Sequence, residues 1–299
     1  MCLLMLPLLC LLASCNAIKI GYDHGGTIAY WWLDSYIDIG REQKPWLRDD
    51  IDALLAWHRQ SQLPDYARLL RLAQQQLGSQ ASSPIDAAVV LADLELIRRS
   101  ADPLLERALP MLADLALSLQ ERQLQHLAHK FDDKNADYRK KYLRGEARQR
   151  QQAAYEHVLE QAEFWFGSFS REQQKQIRAA SDARPPTQQW WLEQRIAHQQ
   201  AMLAMLETIR RDKPARELVV ARLRQYARAQ LDGPADARQK AIYDAYSMAT
   251  AQMTVSIVKL TTAAQKAHAV QRMQDLIDDC TSLSKPAPVV RAVLFDTAQ

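Results

Sequence analysis

The sequence predicts an all-α fold, an irregular bundle of about ten helices. Three observations carry that expectation. Apolar residues recur at helical spacing along most of the chain, and the strict alternation of a half-buried strand is nearly absent. Glycine is scarce, at eight residues in 299, while Ala, Leu, Gln and Arg dominate, a composition that favours helix. Signals for helix starts recur in front of the periodic stretches.

The chain opens with a run, Met1 to Ala13, that is apolar but for Pro7. It is too short to cross a bilayer as a helix, which takes about 20 residues, and has the length of the apolar region of a signal peptide. No Lys or Arg precedes it, although signal peptides normally open with positive charge. Its end, Leu12-Ala13-Ser14-Cys15, reads as a lipobox. Small residues let a peptidase grip extended backbone, and the Cys15 thiol carries the lipid. Cys10 follows Leu9 and Cys2 has no apolar run before it, so neither fits. Residues 1–14 are thus expected to be a signal peptide, 15–283 a helical domain, and 284–299 an extended tail.

Beyond the leader, Leu47, Ile51, Leu54, Leu55 and His58 mark one face of a helix, and Tyr66, Leu69, Leu70, Ala73 and Leu77 another. The segment Leu104 to Leu117 is apolar on nearly all sides and contains Pro110, which predicts a buried, kinked helix. Leu124, Leu127, Phe131 and Tyr138 continue the pattern, as do Tyr155, Val158, Ala162 and Phe166, and later Ile242, Tyr246, Met253 and Ile257. Capping boxes are expected at Ser118-x-x-Glu121, Ser170-x-x-Gln173 and Thr262-x-x-Gln265, with Gly40-x-x-Gln43 a degenerate version. The likeness of "GREQ" to "SREQ" is read as good caps used repeatedly rather than as a duplicated helix pair. Loops are expected at Asp23 to Gly26, Gly78 to Pro84, Arg184 to Thr187 and Asp232 to Ala235, the third a possible boundary between two helical halves.

A net charge of +3 makes no electrostatic case for nucleic acid. With the leader removed and Cys15 acylated, Cys280 is the one remaining thiol. Its place on the stripe Val270, Met273, Ile277 reads as a small buried hydrophobe.

The candidates for chemistry are few. His126 and His129 share a helix face with Asp132 and Asp133 close behind, but lack a third ligand and read as solvated surface. Asp133 to Asp137 imitates the start of a calcium loop, yet Tyr138 and Arg144 stand where Gly and Glu are required. His58 and His198 lie on apolar stripes and read as core histidines. The basic run Arg139, Lys140, Lys141, Arg144, Arg148, Arg150 reads as a solvated face. No catalytic set, metal site or cofactor is expected. The candidate binding patch is aromatic: Tyr30, Trp31 and Trp32, with Trp190 and Trp191. Adjacent indoles diverge by about 100° on a helix, which lets one of each pair enter the core while its neighbour faces outward, though the first expectation is that both help fill a wide core helix.

Taken together, the lipobox cysteine, "YWWLDSYID" (Tyr30 to Asp38), "WHRQSQLPDY" (Trp57 to Tyr66), "RALP" (Arg107 to Pro110) and "QKAHAVQRMQDLIDD" (Gln265 to Asp279) resemble a family of Gram-negative outer-membrane lipoproteins of unknown function. The resemblance implies export, lipidation and one continuous helical domain, and no catalytic residues. Asn16 after the cysteine is similar to the outer-membrane members of such lipoproteins. The cap-rich helices also resemble, by analogy alone, small periplasmic chaperones. The expected function is that of an envelope protein anchored in the outer membrane through N-terminal acyl chains, facing the periplasm. It would act as a binding, scaffold or chaperone-like factor on an envelope protein or cell-wall partner. The alternative is a cell-wall polymer hydrolase or lyase with an acid drawn from Asp34, Asp38 or Asp65.

Overall fold

The computed structural model describes residues 21–22, 24–78 and 85–285. The expected signal peptide with Leu12, Ala13, Ser14 and Cys15, the loop 79–84 and the tail from residue 286 lie outside the described residues. Within them the chain is all-α: α1 Gly25–Ile37, α2 Lys44–Ser61, α3 Leu63–Gly78, α4 Ala87–Arg99, α5 Asp102–Ser118, α6 Glu121–Tyr138, α7 Ala147–Phe166, α8 Arg171–Asp182, α9 Gln188–Asp212, α10 Arg216–Leu231, α11 Ala237–Leu260 and α12 Ala263–Ser284. A single π turn, Arg139–Leu143, closes α6, with the Arg144 amide donating to the Arg139 carbonyl. None of these helices is long and apolar enough to cross a membrane.

The helices pack as two interlaced sets. One core joins α1, α2, α5 and α6 to α9 and α10, through Tyr30, Ile37, Leu47, Ile51, Ala113, Leu115, Leu124, Leu127, Leu206, Ile209 and Val219. The other apolar clusters join α7, α8, α11 and α12 to α3 and α4. Counting α1 to α6 as one unit and α7 to α12 as a second, the packing pairs correspond. α1 packs on α2 and α6, as α7 packs on α8 and α12; α2 meets α5, as α8 meets α11. The third and fourth helices of each unit cross to the other: α3 packs on α12 and α9 on α6, α4 on α11 and α10 on α5.

The same junction holds each unit together. In the first, the Gln43 and Gln123 side-chain oxygens accept from the Gly40 and Gln120 amides at 2.8 and 3.0 Å. Their amide nitrogens then reach across: Gln43 donates to the Ser118 carbonyl at 3.2 Å, and Gln123 to the Asp38 carbonyl at 3.0 Å and to Gln43 Oε1 at 2.8 Å. In the second, Gln173 and Gln265 accept from the Ser170 and Thr262 amides, both at 2.9 Å. They donate to the Leu260 and Ser168 carbonyls at 2.8 and 2.7 Å, and Gln173 also to Gln265 Oε1 at 2.9 Å. At both junctions the carbonyl reached lies two residues before the residue whose amide the partner glutamine caps. The likeness of "GREQ" to "SREQ" therefore belongs to a repeated clasp, not to caps that recur independently.

Other expectations need local revision. The first expected box starts later than Ser118. Leu119 is extended, the box runs from Gln120 to Gln123, and the Ser118 hydroxyl instead accepts from Gln43 at 2.8 Å. Pro110 lies inside α5 on its exposed side, while Leu109, Ala113, Leu115 and Ala116 face inward. Gly25 and Gly26 begin α1 rather than lying in a loop, and Gly78 closes α3. The loops at 184–187 and 233–235 are as expected. Cys280 is buried beside Ile277 and Leu63, and burial raises its thiol pKa to about 11, as befits a packed hydrophobe.

The Gln123 side chain is 1% exposed, and its truncation would leave a void in the junction and take away the partners of the part-buried Gln120 amide and Asp38 carbonyl. Gln123→Ala is expected to cost about 2–4 kcal/mol in urea unfolding, and Gln173→Ala, at the half-buried junction, about 1–2 kcal/mol. The double variant Gln43→Ala/Gln123→Ala should cost less than the sum of its singles, because each single already breaks the bond between the two amides.

Candidate functional site

Helix α1 is apolar on more than the side it buries. Tyr30, Leu33, Tyr36 and Ile37 pack into the first core. The Tyr30 ring lies beneath the Arg48 guanidinium at 4.5 Å and near the Lys44 ammonium at 5.8 Å. Burial, and then the charge of Asp34, raise the Tyr30 phenol pKa. With Tyr30 inward, the next two positions point away by about 100° and 200°. Trp31 is 64% exposed, Trp32 52% and Ile28 54%. Neither the expectation of two core indoles nor the alternative of one in and one out holds here, because the tyrosine takes the inward place and both indoles face solvent.

The exposed face runs on across the surface. Trp32 touches Tyr36 with ring centres 5.1 Å apart, Tyr36 meets Phe131 of α6 at 6.4 Å, and the Lys130 ammonium stands 5.7 Å from the Tyr36 ring centre. Phe131 is also the rim of a cleft of about 120 Å³ between α6 and α9, lined further by Asp132, Asn135, Gln199 and Leu203. Asn135 is 4% exposed and donates to Gln199 Oε1 at 2.7 Å, while its own Oδ1 is buried without a hydrogen-bond partner. A buried amide oxygen in this position favours a donor group as occupant. Periodicity could not reveal this feature, since a lone Asn within an amphipathic stripe carries no distinctive spacing.

The second tryptophan pair lies at the start of α9, packed against Tyr243 and Tyr246 of α11. Trp190 is buried and its indole N–H donates to Gln239 Oε1. Trp191 is half-buried, edge-on to Trp190 at 4.6 Å, to Tyr246 at 5.8 Å and to Tyr243 at 6.3 Å. Nearby, Tyr138 and Tyr142 touch at 4.8 Å, and the Arg195 guanidinium lies 4.9 Å from the Tyr138 ring centre. Burial raises the Tyr138 phenol pKa to about 12. This is an aromatic joint between helices, with the rings filling one another's faces.

The remaining candidates resolve into local roles. Asp34 Oδ1 accepts from the Ile39 amide at 2.9 Å, Asp38 pairs with Arg122 at 2.8 Å, and Asp65 with Arg68 at 3.0 Å, all outside the cleft. His126 contacts the Ser35 carbonyl and His129 pairs with Asp133 at 3.3 Å, both histidines exposed. Among the described residues no group of three or more His, Cys, Asp or Glu side chains is placed to hold a metal ion. The basic run from Arg139 to Arg150 is exposed at each of its charges but Arg150, which is half-buried and donates to the Gly145 carbonyl at 2.6 Å. His198 is half-buried. His58 is a satisfied core histidine, 8% exposed, with Nδ1 at 2.7 Å from the Tyr22 hydroxyl and Nε2 at 3.2 Å from the Tyr66 hydroxyl.

A protein family described as a family of unknown function (DUF6279) matches residues 35–227, from the end of α1 into α10. No curated protein and no solved structure matches the chain.

Burial lowers the His58 pKa, so the unfolded chain takes up this proton at a higher pH than the folded one. The stability tied to His58 is complete above its unfolded pKa, near 6.5, and is lost as pH falls through the folded value. Glu95, held down at about 2 by hydrogen bonds from Arg98 and Arg99, contributes only at lower pH, below about 4.5. Urea midpoints are expected to fall between about pH 7.5 and about pH 5.5 in the wild type, and to fall less in His58→Gln. Equal falls in the two proteins would remove His58 as the source.

Proposed function

We propose that this chain, which belongs to the family of unknown function DUF6279, is an envelope accessory protein that works by binding. In this reading Leu12, Ala13 and Ser14 guide cleavage, and Cys15 carries the acyl chains. The helical domain then faces the periplasm from the outer membrane. Two or more acyl chains hold a protein stably to a bilayer, so no spanning helix is needed.

The exposed aromatic face of α1 is the observation that carries a binding role. Ile28, Trp31 and Trp32 leave on the order of 300 Å² of apolar surface in water, about 5–9 kcal/mol of gross burial energy at the usual area coefficient. A patch of that kind on a folded domain marks a contact surface. The cleft beside Phe131, with its buried Asn135 oxygen, adds a polar feature able to select a partner.

Metabolic labelling with a clickable palmitate analogue tests the anchor. The wild type should take up label and lose its first fourteen residues, and Cys15→Ala should take up none. An unlabelled wild type would sink the lipoprotein reading.

A further inference from the structure

We infer that the Ile28, Trp31, Trp32 face of α1 seats in the headgroup region of the bilayer that holds the N-terminal acyl chains; this rests on the anchored reading above. The molecule supplies its own comparison. α7 holds the same place in its unit as α1, packed on the helices that correspond to α2 and α6. Both helices end on a residue of positive φ whose amide donates to the carbonyl four residues back, Asp38 with φ 56° and Gly167 with φ 75°. Counted back from these, Ile28, Trp31 and Trp32 correspond to His157, Glu160 and Gln161. His157 and Glu160 are exposed, as Ile28 and Trp31 are. The packing of this helix type therefore accepts polar residues on its outer face. The isoleucine and the two indoles of α1 answer to something other than folding.

Position and chemistry identify the occupant as lipid. Cys15 lies thirteen residues before Ile28, a tether of at most about 45 Å when fully extended, so an acylated chain holds this face in the neighbourhood of the bilayer. Indoles settle at the headgroup level, where the ring meets apolar chains and the N–H meets water. A cation stands at the edge of the face: the Lys130 ammonium lies 5.7 Å from the ring centre of Tyr36, which touches Trp32. Two acids at the C-terminal end of α1 have partners, Asp34 the Ile39 amide and Asp38 the Arg122 guanidinium.

The test uses the full acylated chain reconstituted into phosphatidylethanolamine and phosphatidylglycerol vesicles whose acyl chains carry bromine, a short-range quencher of indole emission. The chain has seven tryptophans, of which Trp31 and Trp32 are exposed. The expected result is partial quenching of the wild type that drops several-fold in Trp31→Phe/Trp32→Phe, with far-UV circular dichroism unchanged and both proteins floating with the vesicles. Flotation without quenching, or quenching unchanged in the double variant, overturns the docking and leaves the anchor standing. Failure to float overturns both. A photo-crosslinker at position 31 that joins a protein in place of phospholipid in intact cells also overturns it.

Discussion

The structure depends on what happens where two helix starts meet. The first turn of every helix presents amide N–H groups without intrahelical partners and the positive end of the helix dipole, so bringing two starts together in a core is unfavourable unless both are satisfied. Glutamine solves this with one side chain. Its oxygen caps its own helix, and its NH₂, on an arm longer than serine's, donates to the carbonyl that leads into the facing helix. A glutamate could cap but could not donate. At the first junction both amides are almost wholly buried, so the hydrogen bonds operate away from water, where leaving one unmade is most costly.

Interlacing follows from fixing these starts. With α2 and α6 clasped, the helices between them must travel out and return, and α3 and α4 do so by packing on α12 and α11 of the other unit. The first core takes α9 and α10 in exchange. Neither unit contains its own complete apolar centre, since Leu206, Ile209 and Val219 complete one and Leu63, Ala67 and Leu77 help complete the others. Long-range contacts of this kind tie the two units into a single cooperative body.

Much of this was legible in the sequence, and the limits have physical causes. The all-α class, the positions of most helices, the boxes at Ser170 and Thr262, and the buried states of His58 and Cys280 all follow from spacing and capping chemistry, which are local. The pairing of the clasps does not follow, because the spacing of a capping box records what the glutamine oxygen does and is silent about the NH₂ group. The box near Ser118 was misplaced for a related reason: a serine followed by a glutamate satisfies the local pattern, but that serine ends one helix and receives a bond from Gln43, 75 residues away in sequence. The inward choice among Tyr30, Trp31 and Trp32 was hidden too. Three aromatic neighbours give no phase, and the phase is set by Leu33 and Ile37 against α2 and α6.

A repeated architecture also separates what folding requires from what it does not. Corresponding positions in the two units face equivalent packing demands, so a residue that departs in character from its counterpart answers to something local. Asn135 lies twelve residues after Gln123, and Ile277 twelve after Gln265. In the second unit that place is filled by an isoleucine 2% exposed, packed with Leu63 and Ala67 of α3. In the first it holds an amide whose oxygen is buried and unpartnered, on the wall of the cleft beside Phe131. Replacing an apolar contact by such a group lowers stability, since its desolvation is not offset by a bond. The other marked departure, apolar where the counterpart is polar, is the outer face of α1. Phe131 and Tyr36 join these two departures into one stretch of surface. The proposed binding role would account for both departures at once, whereas the packing of the corresponding helices requires neither.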